Sequence, residues 1–290
     1  MLTVTPYAFA STTDLQARLK RSTDYAPSGA EPDMQQRLID AVNVATHWME
    51  MKTRRKLKAR NYKLAASKSG FGSSGNFTCA IIGGVAGLDV GDDVVAAIGI
   101  DISTQVASIN GSVLTLNNAL NSDWGTTQTR AITVGSQPLM LNGDDAENCS
   151  GYNRWGGTEI ALTERPLVQV FGLYRLDGDG NRTAINTTGA RYEYETGRIV
   201  LTRDLFPSGQ QNIHAEVRAG YVKPDGTTLG HEQYYQLEQI ALRVAEIYYV
   251  DALQIRGRAS DVGAGGLNAR LDAAVPADVV DALLPFVRLW

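Results

Sequence analysis

The chain has 290 residues, enough for one large core or two modest ones, with 43% hydrophobic and 20% charged side chains. A net charge of −4 and a pI near 5.5 argue against tight, non-specific nucleic-acid binding. No apolar run reaches the roughly 18 residues of a membrane span, and the basic and apolar segments of a secretory leader are missing, so the expectation is folding in a cytoplasm, with no membrane partner.

The first sixty residues read as helical. Ser11-Thr12-Thr13-Asp14 offers a capping start, with Leu15 and Leu19 four residues apart on one face. A Pro-Ser-Gly linker at 27–29 leads to Pro32, placed at the first turn of a second helix. On that helix Leu38, Val42, Ala45 and Met49 form one apolar stripe at the 3.6-residue period. Extended, the stripe reaches Lys52, Lys56 and Arg60, so the buried face runs out near Met49 or Thr53.

The Ser/Gly-rich stretch 67–75 reads as a linker. Residues 76–138 then change character: Arg130 is their only Lys or Arg, and Val, Ile, Thr, Gly and Asn dominate. Asn110-Gly111 between two apolar runs is a two-residue hairpin signal, and 93–98 and 127–134 read as further strands. The composition shift on both sides predicts an inserted all-β domain, barrel or sandwich.

Strands are expected at 158–162 and 167–176, with the turn Asp177-Gly-Asp-Gly-Asn181 after them. A hairpin follows at 192–201, turning at Thr196-Gly197, and then a strand from Ile213 to Tyr221, with Pro224 ending the pairing. The next helix, near 232–255, carries Leu237, Ile240, Ala241, Val244, Tyr248 and Ala252 on one face, and the preceding sheet is its expected packing partner. A glycine-rich, flexible 257–275 leads to a short C-terminal helix at 277–289, opened by Pro276 and interrupted by Pro285.

Chemistry-bearing residues are sparse. His47, His214 and His231 lack metal-ligand spacing, and His231-Glu232 has Tyr235 where a zinc helix needs its second histidine. Asp177, Asp179 and Asn181 begin like a calcium loop, but Arg182 replaces the required glycine. Asp144, Asp145 and Glu147 near Cys149 have no nucleophile and base beside them, which favours a solvated loop. Cys79 and Cys149 read as two thiols, with a single bridge as the alternative. No catalytic residue, metal or cofactor is expected, so the chain does not read as an enzyme. Lys52, Arg54, Arg55, Lys56, Lys58 and Arg60 put six cations in nine positions, read as a solvated helix end, a protein interface or a contact to DNA phosphates. The aromatics Tyr152, Trp155, Tyr192, Tyr194 and Trp290 are candidates for core or interface.

In order, these elements resemble the head-to-tail connector (adaptor) proteins of tailed bacteriophages. The resemblance covers most of 11–64 and 139–290. It runs through the helix-end Thr53-Arg54-Arg55, the strand entry Arg165-Pro166-Leu167-Val168-Gln169-Val170 and the hairpin Tyr192–Leu201. It continues in Ala219-Gly220-Tyr221 with Pro224, and in Pro276–Phe286. The 76–138 module departs from the minimal family pattern. The fold expected is α+β: a helical connector core with a small antiparallel sheet at 1–75 and 139–290, plus the inserted β domain.

The resemblance implies a structural virion protein in the neck, assembled in the host cytoplasm. It would form a ring, most often of twelve copies, beneath the portal, linking it to a stopper or tail-completion protein and letting double-stranded DNA pass. The candidate interface is the basic run together with Val280, Leu283, Leu284, Phe286 and Trp290, on a tail (257–290) expected to order against portal or neighbour. The alternative is a receptor- or carbohydrate-binding phage structural protein acting through 76–138.

Overall fold

Ser11 caps the first helix as its sequence suggests. Its hydroxyl accepts from the Asp14 N–H at 3.0 Å and donates to the Asp14 carboxylate at 2.5 Å, so cap and first turn satisfy one another. In the computed structural model, residues 4–22, 32–96, 100, 104–120, 125–135, 137–141, 157–224, 231–255 and 274–287 are described. Among them are four α-helices: α1 (Thr12–Ser22), α2 (Pro32–Thr53), α3 (Gln233–Ile255) and α4 (Ala277–Leu283). A single 3₁₀ turn, Leu284–Phe286, continues the last.

The helices form one compact unit built from both ends of the chain, 1–58 and 221–290. Its core takes Leu15 and Leu19 from α1, the predicted stripe of α2 together with Trp48, and Leu237, Ala241 and Val244 from α3. Val279, Leu283 and Phe286 close it from the C-terminal segment. Helix α3 therefore packs among α1, α2 and α4. The C-terminal segment does not wait for a partner to order: 274–287 is docked in the chain's own core, with Val275 buried as well. Of the stretch 257–275 expected to be flexible, 257–273 lies outside the described residues.

In the second unit, 59–220, the regular elements among the described residues are all strands. In its five-stranded sheet, β14 (Ile213–Ala219) lies at the centre and pairs along its length with β10 (Leu167–Leu176). On its other side β14 meets β1 (Arg60–Tyr62) at one end and β8 (Leu139–Leu141) at the other, while β11 (Arg182–Ala184) extends the sheet beyond β10. Strict alternation makes this centre: Ile213, Ala215, Val217 and Ala219 are all buried, and His214, Glu216 and Arg218 between them are half-buried. The predicted hairpin is β12 (Arg191–Glu193) and β13 (Arg198–Val200), joined in a three-stranded sheet by β9 (Glu159–Ala161). Gly197 makes the turn at φ 70°, where a side chain would be strained.

Six more strands form a sheet ordered β4 (Val94–Ala96), β7 (Gly125–Val134), β2 (Ala66–Gly72), β3 (Thr78–Ile82), β6 (Val113–Leu116), β5 (Val106–Asn110). Its two edges meet. Val94 N–H donates to the Thr104 carbonyl and Val106 N–H to the Asp92 carbonyl, each at 2.9 Å, around an Asp93–Gln105 bridge. Closure makes a small barrel, filled by Cys79, Ile81, Val94, Val106, Leu114, Leu116, Ile132 and Val134. Burial pushes the Cys79 thiol up to about 11, which leaves it protonated; Cys149 lies outside the described residues.

The fold class is thus corrected. Among the described residues are fourteen strands in three antiparallel sheets against four helices, so the chain is mostly β rather than a helical core with a small sheet. Two causes stand out. Many strands span only three residues and are too short to show a period, as β1, β8, β9, β12 and β13 illustrate. The Ser/Gly-rich linker is in fact strand β2, and its glycines answer a packing need. A Cβ on Gly72 would come within 2.3 Å of Leu120, and one on Gly70 within 2.9 Å of the Ala80 carbonyl.

Candidate interaction surface

The basic run is divided by the end of α2. Arg54 adopts a left-handed φ of 54°, Arg54 N–H reaches Met51 O at 3.3 Å and Arg55 N–H reaches Glu50 O at 3.2 Å, which stops the helix and turns the chain. The six cations are consequently not a helix face. Lys52 is exposed and lies 5.8 Å over the Trp48 ring; Arg54 is exposed; Lys56 pairs with Glu50 at 3.0 Å. Arg55 is buried at 4% exposure, and its Nη1 donates to the Phe286 carbonyl at 3.2 Å. Arg60 sits in β1, within the second unit, opposite Ala219.

Lys58 is the most perturbed cation. Its Nζ donates to the Ala8 carbonyl at 2.6 Å, and burial, assisted by the nearby Lys223 charge and opposed by Glu238, lowers its pKa to about 8. The sign follows directly. Below about pH 8 the folded chain holds a buried ammonium at a cost. As pH rises toward the ordinary value of 10.5, the folded form sheds this proton before the unfolded one, and stability increases. Wild type should therefore gain melting temperature between pH 7 and pH 9.5 relative to Lys58→Met, a difference readable by scanning calorimetry. Equal pH dependence in the two proteins would refute the assignment.

The apolar candidates divide as well. Leu283 and Phe286 are buried at 1% and 2% in the chain's own core, Val280 is half-buried against it, and Leu284 is 59% exposed. Trp290 lies outside the described residues, as do Asp144, Asp145, Glu147, Tyr152 and Trp155. Tyr221 links these regions: its N–H donates to the Leu57 carbonyl at 2.7 Å, and its ring meets Phe286 and His231 edge-on at 5.5 and 5.7 Å. His231 Nδ1 in turn accepts from Val222 N–H at 3.2 Å, a satisfied position at the start of α3. Lys223, exposed beside it, pairs with Glu238 at 3.1 Å and lies over Tyr234 and Tyr235.

In the β unit, Asp177 uses its carboxylate to build its own turn, accepting from Asp179 N–H, Asn181 N–H and Asn181 Nδ2 at 2.8–3.0 Å. These bonds, the Asn181 side chain foremost, hold it below the usual carboxylate range. Among the described residues no cluster of His, Cys, Asp and Glu could hold a metal ion.

Two features of this unit have no counterpart in the sequence reading. First, Lys63, at 6% side-chain exposure, pairs with Asp89 at 2.5 Å and with the fully buried Asp92 at 3.1 Å. Asn61 Nδ2 donates to Asp92 at 2.8 Å and to the Val90 carbonyl at 3.1 Å, and Lys63 lies 5.1 Å over the Phe171 ring. Burial opposes the Lys63 charge, but its bonds to Asp89 and Asp92 outweigh burial and raise its pKa. This cluster ties β1 to the loop entering the barrel.

Second, the outward positions of the barrel wall are uncharged. Across β2, β3 and β6 the outward neighbours are Ser69 with Ile82, Phe71 with Ala80, Ala80 with Val113, and Thr78 with Thr115. Ser67 with Thr133, and Ala131 beyond Ser69, continue the surface onto β7. Only a compositional hint, the scarcity of Lys and Arg over 76–138, was visible beforehand. Among known protein families, curated proteins and solved structures, none matches this chain.

Proposed function

We propose that this chain is a structural subunit of a tailed-phage neck, a head-to-tail connector without catalytic activity. It would assemble as a ring, most often of twelve copies, between the portal and the next stopper or tail-completion protein, with DNA passing through the lumen of the virion's neck. One observation carries this reading. Three of the segments on which the resemblance rests, the helix end at 53–55, the junction residue Tyr221 and the C-terminal 276–286, lie far apart in sequence yet meet at one place in the helical unit. Arg55 from the helix-end motif donates to Phe286 of the C-terminal segment, and Tyr221 of the strand-to-helix junction packs on the same ring and bonds Leu57. Such convergence is what a shared scaffold requires.

Arg55, Leu283 and Phe286 hold this scaffold together from inside, which leaves Leu284, Lys52, Arg54 and Lys56 as the candidates for partner contact. Purified chain mixed with portal and imaged by negative stain should give rings of twelve. A chain that remains monomeric beside portal would overturn the reading. Leu284→Asp should weaken portal joining without altering the melting temperature, because Leu284 is 59% exposed. Deleting 277–290 should abolish joining as well, but through loss of the core.

A further inference from the structure

Within the β unit, a cleft of about 530 Å³ is lined by Lys63, Asp89, Gln169, Phe171, Arg182 and Glu216, a size suited to a small ligand. Its polar groups are fixed in advance. Lys63, at 6% side-chain exposure, is held by Asp89 and Asp92. Glu216 Oε1 accepts from Leu64 N–H at 3.1 Å and from Arg182 Nη2 at 2.7 Å, and the Arg182 guanidinium lies 3.9 Å over the Tyr174 ring. A bulge places Phe171 in the wall: the β10–β14 register slips between Val170 and Gly172, leaving Phe171 as the extra residue. Gly172 must be a glycine beside it, because a Cβ there would come within 2.7 Å of the Tyr174 hydroxyl. A ligand entering such a wall is spared the entropy of ordering it.

We propose that this cleft binds a neutral sugar. The charges select against ions. Each cation of the wall is already paired with a carboxylate of the wall, Lys63 with Asp89 at 2.5 Å and Arg182 with Glu216 at 2.7 Å. An incoming phosphate or ammonium would have to displace a partner already in place. A hydroxyl both donates and accepts, so a polyhydroxylated ring meets carboxylates and cations together without breaking either pair. Bonds to these ionised groups are the stronger kind. Gln169, exposed, adds an amide that donates and accepts as well. Phe171, half-buried, supplies an apolar surface for the C–H face of the ring. A wholly apolar ligand would instead strip water from these groups and give no bond in return. The site concerns the β unit alone and does not depend on the connector reading.

The test titrates the full chain with glucose, galactose, mannose and N-acetylglucosamine, followed by saturation-transfer-difference NMR. At least one sugar should receive saturation from the protein, most strongly at its ring C–H protons. Asp89→Asn/Gln169→Ala and Phe171→Leu should each weaken that binding by about tenfold or more. Thermal melting followed by circular dichroism shows whether each variant is folded. Asp89 is 46% exposed and Gln169 is exposed, so the double variant decides the matter if Phe171→Leu is unstable. Failure of all four sugars to bind wild type, or full-strength binding by the folded variants, would overturn the proposal. Inorganic phosphate that displaces a bound sugar would assign the cleft to an anion instead. A chain that forms rings with portal but binds no sugar removes this proposal alone. One that binds sugar yet stays monomeric beside portal removes only the connector reading.

Discussion

Lys63→Met should be among the most damaging single substitutions in the β unit, costing about 3–5 kcal/mol, the usual penalty for stripping a buried charge of its partner. Asp92 has no solvent access, and without the ammonium its carboxylate would keep only the Asn61 amide and the Asp89 N–H, both at 2.8 Å. Urea denaturation followed by circular dichroism measures the loss. Two companions make the test specific. Asp89→Asn should cost about 1 kcal/mol or less, because its side chain is 46% exposed and the pair is screened by water. Lys63→Met/Asp92→Leu should recover part of the loss, since removing both charges also removes the unpaired one. A double variant as unstable as Lys63→Met would mean that the damage comes from packing around Phe171 rather than from the stranded carboxylate.

Phe286→Ala should destabilise the helical unit by about 3–5 kcal/mol, the range for emptying a buried aromatic site. The ring is 2% exposed, meets Tyr221 edge-on at 5.5 Å, and belongs to the residue whose carbonyl receives Arg55. Hydrogen exchange should accelerate through α4 and at the junction 221–224, while the barrel amides keep their protection. Leu284→Ala, two residues earlier but 59% exposed, should change stability by no more than about 0.5 kcal/mol. If both variants behaved alike, the C-terminal segment would not be part of the core. The comparison also bears on function, because Leu284→Asp probes partner contact on an intact scaffold and Phe286→Ala does not.

The helices were legible because their signals are local. Ser11 and Asp14 cap α1, the 38–49 stripe is the face that α2 buries, and α3 starts within a residue of its expected position. Longer strands were legible for the same reason, as β10 and β14 show. The hairpin was marked by Thr196-Gly197, and the barrel's β5–β6 turn by Asn110-Gly111, with Gly111 at φ 59°. What failed was the balance between elements. Three-residue strands leave no period to read, and glycines placed for close approach in β2 are indistinguishable from linker glycines in one dimension.

The candidate surface shows the same division. Six cations in nine positions look like one patch, but the left-handed turn at Arg54 sends Arg55 inward to Phe286 and Lys58 to Ala8, and places Arg60 in another unit. Nothing near Lys63 announces that Asp92, 29 residues on, will be buried against it.

By itself the sequence determined where helices begin, which of their faces are apolar, and that 76–138 is almost free of Lys and Arg. Such properties depend on residues a few positions apart. Only the tertiary structure decided that the chain is mostly β and that a six-stranded barrel closes through Asp93 and Gln105. It likewise decided which charges are buried and that the C-terminal segment completes the helical core. Those outcomes rest on pairings between distant residues, where the free energy of burial and of satisfied hydrogen bonds, rather than local preference, selects the partner.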